Sequence, residues 1–130
     1  MLAKNYVSHW DLDGLKPYMR YTMASGLNYE TENLFITAES GAPSSKRDPK
    51  VILSEAEAAL MNSPSHRAAL LSKRPAKVSI GIAYNDVDLA LVQQFEGDYI
   101  TFSGAPVVKN GVLSLSGKAL EGLTITQVQI

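Results

Sequence analysis

The chain has no cysteine among its 130 residues. That removes disulfides, thiolate nucleophiles and Cys-ligated zinc together. It is also poor in excess charge, with a formal net charge of −1, so nothing in it calls for nucleic acid or an anionic surface as partner. No apolar run approaches the roughly 20 residues that span a bilayer. The opening residues MLAKNYVSHW contain no apolar core of a leader peptide and no small-residue cleavage site. Histidine is scarce: His9 and His66 are the two in the sequence.

What remains is an ordinary globular composition, 45% hydrophobic and 19% charged. This length is one domain's worth and can bury a core without staples. Leu2, Tyr6 and Trp10 fall at helical spacing and predict one helical stripe. Asp11-Leu12-Asp13-Gly14 reads as a turn: it begins like a calcium loop, but no further oxygen ligand comes at the right spacing, and Lys16 and Pro17 intrude. Pro17 suits a first helical turn, and a short helix through Tyr18, Met19 and Met23 ends at Ser25-Gly26. Residues 27–36 give mixed signals, extended or irregular. Residues 37–50 predict a long polar loop. Ser54 and Glu57 fit a capping box opening a helix, Asn62-Ser63-Pro64 breaks it, and Ser63 is placed to cap a second short helix that stops before Pro75.

From residue 77 the apolar period changes to two. Val78, Ile80, Ile82 and Tyr84 alternate with small residues, Leu89 to Gln94 alternate again, and Tyr99–Phe102 predicts a third strand of an antiparallel meander. Asn110-Gly111 is a hairpin turn, with a last β-like segment after it. Helices first and strands afterwards make an α+β chain.

Both histidines sit at punctuated positions, one before a turn and one in the first turn of a helix. Two imidazoles with a carboxylate make a zinc or general-base site if the fold brings them together; spacing alone leaves that open. Glu32 reads equally as a loop carboxylate bonded to local amides, with Asn33 beside it doing the same. Ser63 has no nucleophile elbow around it and is more simply a helix cap. Lys46, Arg47, Lys50, Lys73, Arg74 and Lys77 form two basic clusters that read as solvated charge.

Four motifs in order carry a family resemblance. The segment from Tyr6 through Ser8-His9, the Asp11–Gly14 turn and the Arg20 helix resembles prokaryotic members of the CAP superfamily (cysteine-rich secretory, antigen 5 and pathogenesis-related proteins). Thr31-Glu32-Asn33-Leu34 resembles its G-E-N-[LIV] element. Met61-Asn62-Ser63-Pro64-Ser65-His66-Arg67-Ala68-Ala69-Leu70-Leu71 is similar to its M-x-S-P-G-H-R-x-N-L-L motif, and Ser79–Tyr84 resembles its V-G-I-G-x-A strand. The resemblance covers about residues 1–102. It implies a CAP-type α-β-α sandwich around a small antiparallel sheet, in a domain spanning 1–104, with 105–130 a β extension or the start of another module. It also implies a cleft holding His9, His66 and Glu32, with Asn33 and Ser63 beside them.

The pattern also departs from the family's. Leu60 takes a tryptophan's place, so Ser63 stands where a second glutamate is expected, and Glu55 and Glu57 do not match that position. Thr31 and Ser65 replace glycines. The family's first helix should precede Met1, leaving Met1–Lys4 as its last turn. The implied metal is therefore a weakly held zinc on His9 and His66. The implied protein is secreted or in the cell envelope, its leader upstream, binding a lipid, glycan or protein ligand and open to dimerisation through the face the missing helix would cover. The leading function is an extracellular binding module. The alternatives are a metal-dependent or His/Glu hydrolase of protease type with Glu32 as base, and a structural domain with a vestigial cleft.

Overall fold

A computed structural model of the chain describes residues 6–37, 46–74 and 76–127. The elements run α1 (Pro17–Met23), β1 (Tyr29–Ile36), α2 (Pro49–Asn62), α3 (Pro64–Leu70), β2 (Ala76–Tyr84), β3 (Leu89–Gly97), β4 (Ile100–Phe102), β5 (Val107–Lys109), β6 (Val112–Ser114) and β7 (Gly117–Ala119). The chain is α+β, and its strand pairings are antiparallel.

The main sheet has the order β1-β3-β2. β2 and β3 form the hairpin expected from their period of two, joined at Asn85-Asp86, where Asp86 takes φ 72. The hairpin does not continue into the expected meander. The third strand is β1, running along the other side of β3 with Glu32 opposite Gln94 and Asn33 opposite Gln93. β3 thus has both ladders filled, and Tyr99–Phe102 finds no place beside it. That segment turns away after Gly97, with the Tyr99 N–H donating to the Gly97 carbonyl at 3.0 Å, and β4 pairs with β7 instead. The small β4–β7 sheet joins residues on either side of position 104. Residues 27–36 looked irregular because β1 carries polar side chains on both faces, so neither face shows the apolar alternation of a half-buried strand.

Local chemistry moves several other boundaries. Tyr6–Trp10 is not helical: the Ser8 hydroxyl accepts from the Trp10 N–H at 3.0 Å, a side-chain turn that competes with the helix. The remainder of that expected stripe, residues 1–5, lies outside the described residues, as does 38–45 of the expected long loop. Ser54 and Glu57 do not open α2. Asp48 caps the helix upstream of them, accepting from the Lys50 N–H at 2.9 Å, with Pro49 in the first turn. Ser54 lies inside the helix and its hydroxyl donates back to the Lys50 carbonyl at 3.2 Å. Ser63 occupies the N-cap position of α3, but its side chain makes no capping bond. Asn110 (φ 52) and Gly111 (φ 75) do form the β5–β6 turn, two left-handed residues of the kind a tight hairpin demands. The expected final β-like segment, residues 122–130, is no strand where it is described: β7 lies upstream of it, residues 123–127 carry no regular structure, and 128–130 lie outside the described residues.

Alternation along β1 and β3 sorts the site. Phe35, Leu89 and Leu91 point to the face covered by α2 and pack with Ile52, Ala56 and Leu60 from that helix. Glu30, Glu32, Gln94 and Glu96 point to the other face, where α1 approaches β1. The core is small, and Ile52 is fully buried at its centre while its neighbour Val51 is half exposed. Ile52→Ala should therefore cost about 2–5 kcal/mol in a urea titration, and Val51→Ala less than about 0.5 kcal/mol. Equal costs would mean that the helix does not bury this face.

Candidate functional site

The loop before α1 is built around one carboxylate. Asp11 Oδ1 accepts from the N–H groups of Asp13 (3.0 Å) and Leu15 (2.8 Å), and Gly14 closes the turn at φ 78. This is the turn expected from the sequence. The Lys16 ammonium lies 4.6 Å from the Trp10 ring centroid and pins the loop to the helix start. Arg20, one turn into α1, then faces back. It donates to the Leu15 carbonyl at 3.1 Å and the His9 carbonyl at 3.5 Å, and lies 3.8 Å from Asp11 Oδ2.

The same guanidinium reaches Glu32 Oε2 at 3.1 Å. Glu32 also accepts from His9 Nδ1 at 3.1 Å and from the Gln94 amide at 3.4 Å. Its side chain is 2% exposed, whereas that of His9 is 52% exposed. An ionised carboxylate only accepts, so His9 donates to it through its Nδ1–H. Glu32 therefore orients an imidazole, and both of its oxygens are occupied in doing so.

Asn33 points the opposite way. It is buried, and its amide donates to the His66 carbonyl and to Gln93 Oε1, both at 3.3 Å. The first bond fastens α3 to β1 at the turn that carries His66. His9, Glu32, Asn33, Ser65 and His66 consequently line one cavity of about 780 Å³, together with Tyr29, Phe95 and Tyr99. Tyr29 and Tyr99 pack there at 6.5 Å between ring centroids. Of the expected site residues, His9, Glu32, Asn33 and His66 meet at this cavity. Ser63 is not in its lining; its hydroxyl lies 3.4 Å from that of Ser65.

No protein-family model, curated protein or solved structure matches the chain. The site is therefore read from its own geometry. A zinc ion takes three or four protein ligands. Among the described residues no group of three His, Asp or Glu side chains stands ready to hold one, and the carboxylate nearest the histidines is committed to Arg20 and His9. His9 and His66 are the imidazoles that line the cavity.

Sequence reasoning passed over Arg20, Gln93 and Gln94 as site residues. Their signal was there: two adjacent amides in the otherwise apolar LALVQQF put polar groups on both faces of a central strand. Glu30 was passed over too. It is 8% exposed, and its Oε1 has no hydrogen-bond partner. Burial pushes its carboxyl above the usual glutamate range, the Glu32 charge adds to that, and Arg20 and His9 offset part of it. Directly across the ladder, Glu96 is held below the usual range, chiefly by the Asn28 amide.

The network makes two outcomes measurable. Arg20→Ala strips the buried Glu32 of its strongest partner and should cost about 1–3 kcal/mol by denaturant unfolding. A group raised on folding contributes stability that is full below its unfolded pKa and is lost as pH rises through the folded one. Glu30→Gln should therefore exceed the wild type in unfolding free energy at neutral pH, with the gain vanishing once the pH falls below the ordinary glutamate range. A Gln variant less stable at neutral pH would contradict the burial penalty.

Proposed function

We propose that this chain is a CAP-type ligand-binding module whose binding surface is the His9–His66 cavity. The observation that carries the reading is the state of Glu32: it is buried and holds His9 through Nδ1 at the wall of a roomy cavity. Aiming an imidazole through a carboxylate is how proteins prepare a histidine to accept a hydrogen bond or hold an ion. It leaves Glu32 itself a poor general base, because a base needs a free lone pair within reach of its proton and the oxygens of Glu32 are engaged by His9, Arg20 and Gln94. The hydrolase alternative required Glu32 in that role, and among the described residues no other carboxylate lines the cavity.

In this proposal the helices and antiparallel sheet are a CAP-type sandwich, and the protein works outside the cell or in its envelope. No helix among the described residues is long and apolar enough to cross a membrane. The ligand is an extracellular lipid, glycan or protein presenting hydrogen-bonding groups to His9, His66 and Ser65 and an apolar part to Tyr29, Phe95 and Tyr99. Zinc binds weakly, through the two imidazoles alone.

Calorimetry with zinc chloride tests the cavity. Binding should be weak, with a Kd of about 10–100 µM near pH 7.5, and weaker by about tenfold in His9→Ala or His66→Ala. It should disappear at about pH 5.5, where protons compete for imidazole. Peptide-library and esterase assays should give rates matching the double variant Glu32→Gln/His66→Ala. Equal heats at both pH values would remove the metal from the proposal. Turnover that the double variant loses would replace the binding module with a hydrolase.

A further inference from the structure

β2 is an edge strand of the main sheet, and beyond Lys77 it lacks the devices that normally blunt an edge. From Val78 to Tyr84 it contains no proline and no charge, and its register with β3 runs without a bulge. Its apolar side chains share the face that α2 covers elsewhere, yet Val78, Ile80 and Ile82 are 54%, 59% and 55% exposed. Beside Ile80 and Ile82 lies a shallow apolar hollow formed with Leu53, Met61 and Leu70. Among the described residues no other strand pairs with this edge.

We propose that two copies of the chain associate through β2, paired antiparallel about a twofold axis at Ile80, so that two three-stranded sheets become one continuous sheet. The dimer is proposed whatever the His9–His66 cavity binds, although Arg74 and Val78 also line that cavity. The partner is a second copy because the strand is complementary to itself. In this register Ile80 lies opposite Ile80 of the second copy, and Val78 lies opposite Ile82 on both sides of the axis. The exposed apolar side chains of both strands then form cross-strand pairs, the contacts that stabilise a sheet. The hollows beside them become continuous across the axis.

Charge agrees with the same register. The strand is preceded by Arg74 and followed by Asp86, and pairing about Ile80 places Arg74 of each copy opposite Asp86 of the other. Within its own chain Asp86 accepts from Lys46 at 3.0 Å, so a second cation completes an exposed carboxylate. Lys77 stays with Glu96 and Asp98 on its own side. A parallel pairing would bring like ends together and lose both features.

The absence of cysteine makes the register directly testable. In sedimentation equilibrium the wild type should dimerise within about 1–200 µM. Ile80→Lys should weaken dimerisation by more than about tenfold, and Arg74→Glu by about threefold or more through like-charge repulsion of Asp86. Circular dichroism should show both variants folded, since both positions are exposed. Ile80→Cys should cross-link to itself under mild oxidation, because residues facing each other across an antiparallel ladder have Cβ atoms about 4.5–5.5 Å apart. Thr22→Cys, exposed on α1, should cross-link at least about tenfold more slowly, reporting random collision. A wild type that stays monomeric throughout, a dimer indifferent to Ile80→Lys, or cross-linking no faster at position 80 than at 22 would each overturn the proposal.

Discussion

The site depends on one buried carboxylate. Glu32 sits in a strand, its side chain almost fully out of water, and a charge there persists only if donors surround it. Three do so: the Arg20 guanidinium, the His9 ring and the Gln94 amide. Each comes from a different part of the chain, so satisfying one carboxylate ties α1, the loop before it and β3 to β1. The loop is in turn folded on Asp11, which shares Arg20 with Glu32. The position of His9 is a consequence of that network.

The opposite wall of the cavity is set by the next residue. Because successive side chains of a strand point to opposite faces, Asn33 reaches away from Glu32 and bonds the His66 carbonyl at the start of α3. Two neighbouring residues of β1 thereby hold the two histidine-bearing segments, one from each side of the sheet. Those segments are far apart in the sequence, and the strand between them gives both a common anchor. The cavity they share is lined also by Tyr29, Phe95 and Tyr99.

The main sheet has unequal protection on its two sides. On β3, which is paired along both edges, Leu89 and Leu91 are buried under α2. On neighbouring β2 Tyr84 still packs on this core, but Val78, Ile80 and Ile82 on the same face are more than half exposed. On β1 the exposed edge is occupied by polar groups serving the cavity. The same sheet thus separates a polar edge beside the cavity from an apolar edge along β2. The buried Glu30, whose Oε1 has no partner, lies between the cavity network and Glu96, a cost the fold carries beside its site.

By itself the sequence determined the parts governed by neighbours along the chain. The Asp11–Gly14 turn, the α2–α3 break at Pro64, the β2–β3 hairpin and the Asn110-Gly111 turn were legible because each depends on residues within a few positions: a carboxylate reaching its own backbone, a proline with no N–H, a period of two, a pair that tolerates positive φ. The candidate residues His9, Glu32, Asn33 and His66 were also legible as a set through the family resemblance. Only the tertiary structure decided what those residues do. Residues 27–36 became a strand because β3 offered a ladder. Ser54 lost its capping role because Asp48 and Pro49 started the helix earlier, and Tyr99–Phe102 left the sheet because both sides of β3 were taken. Glu32 became an orienting carboxylate rather than a free one because Arg20 and Gln94 arrive from elsewhere in the chain, and the donors that surround a buried charge are chosen by the fold and not by its neighbours in sequence.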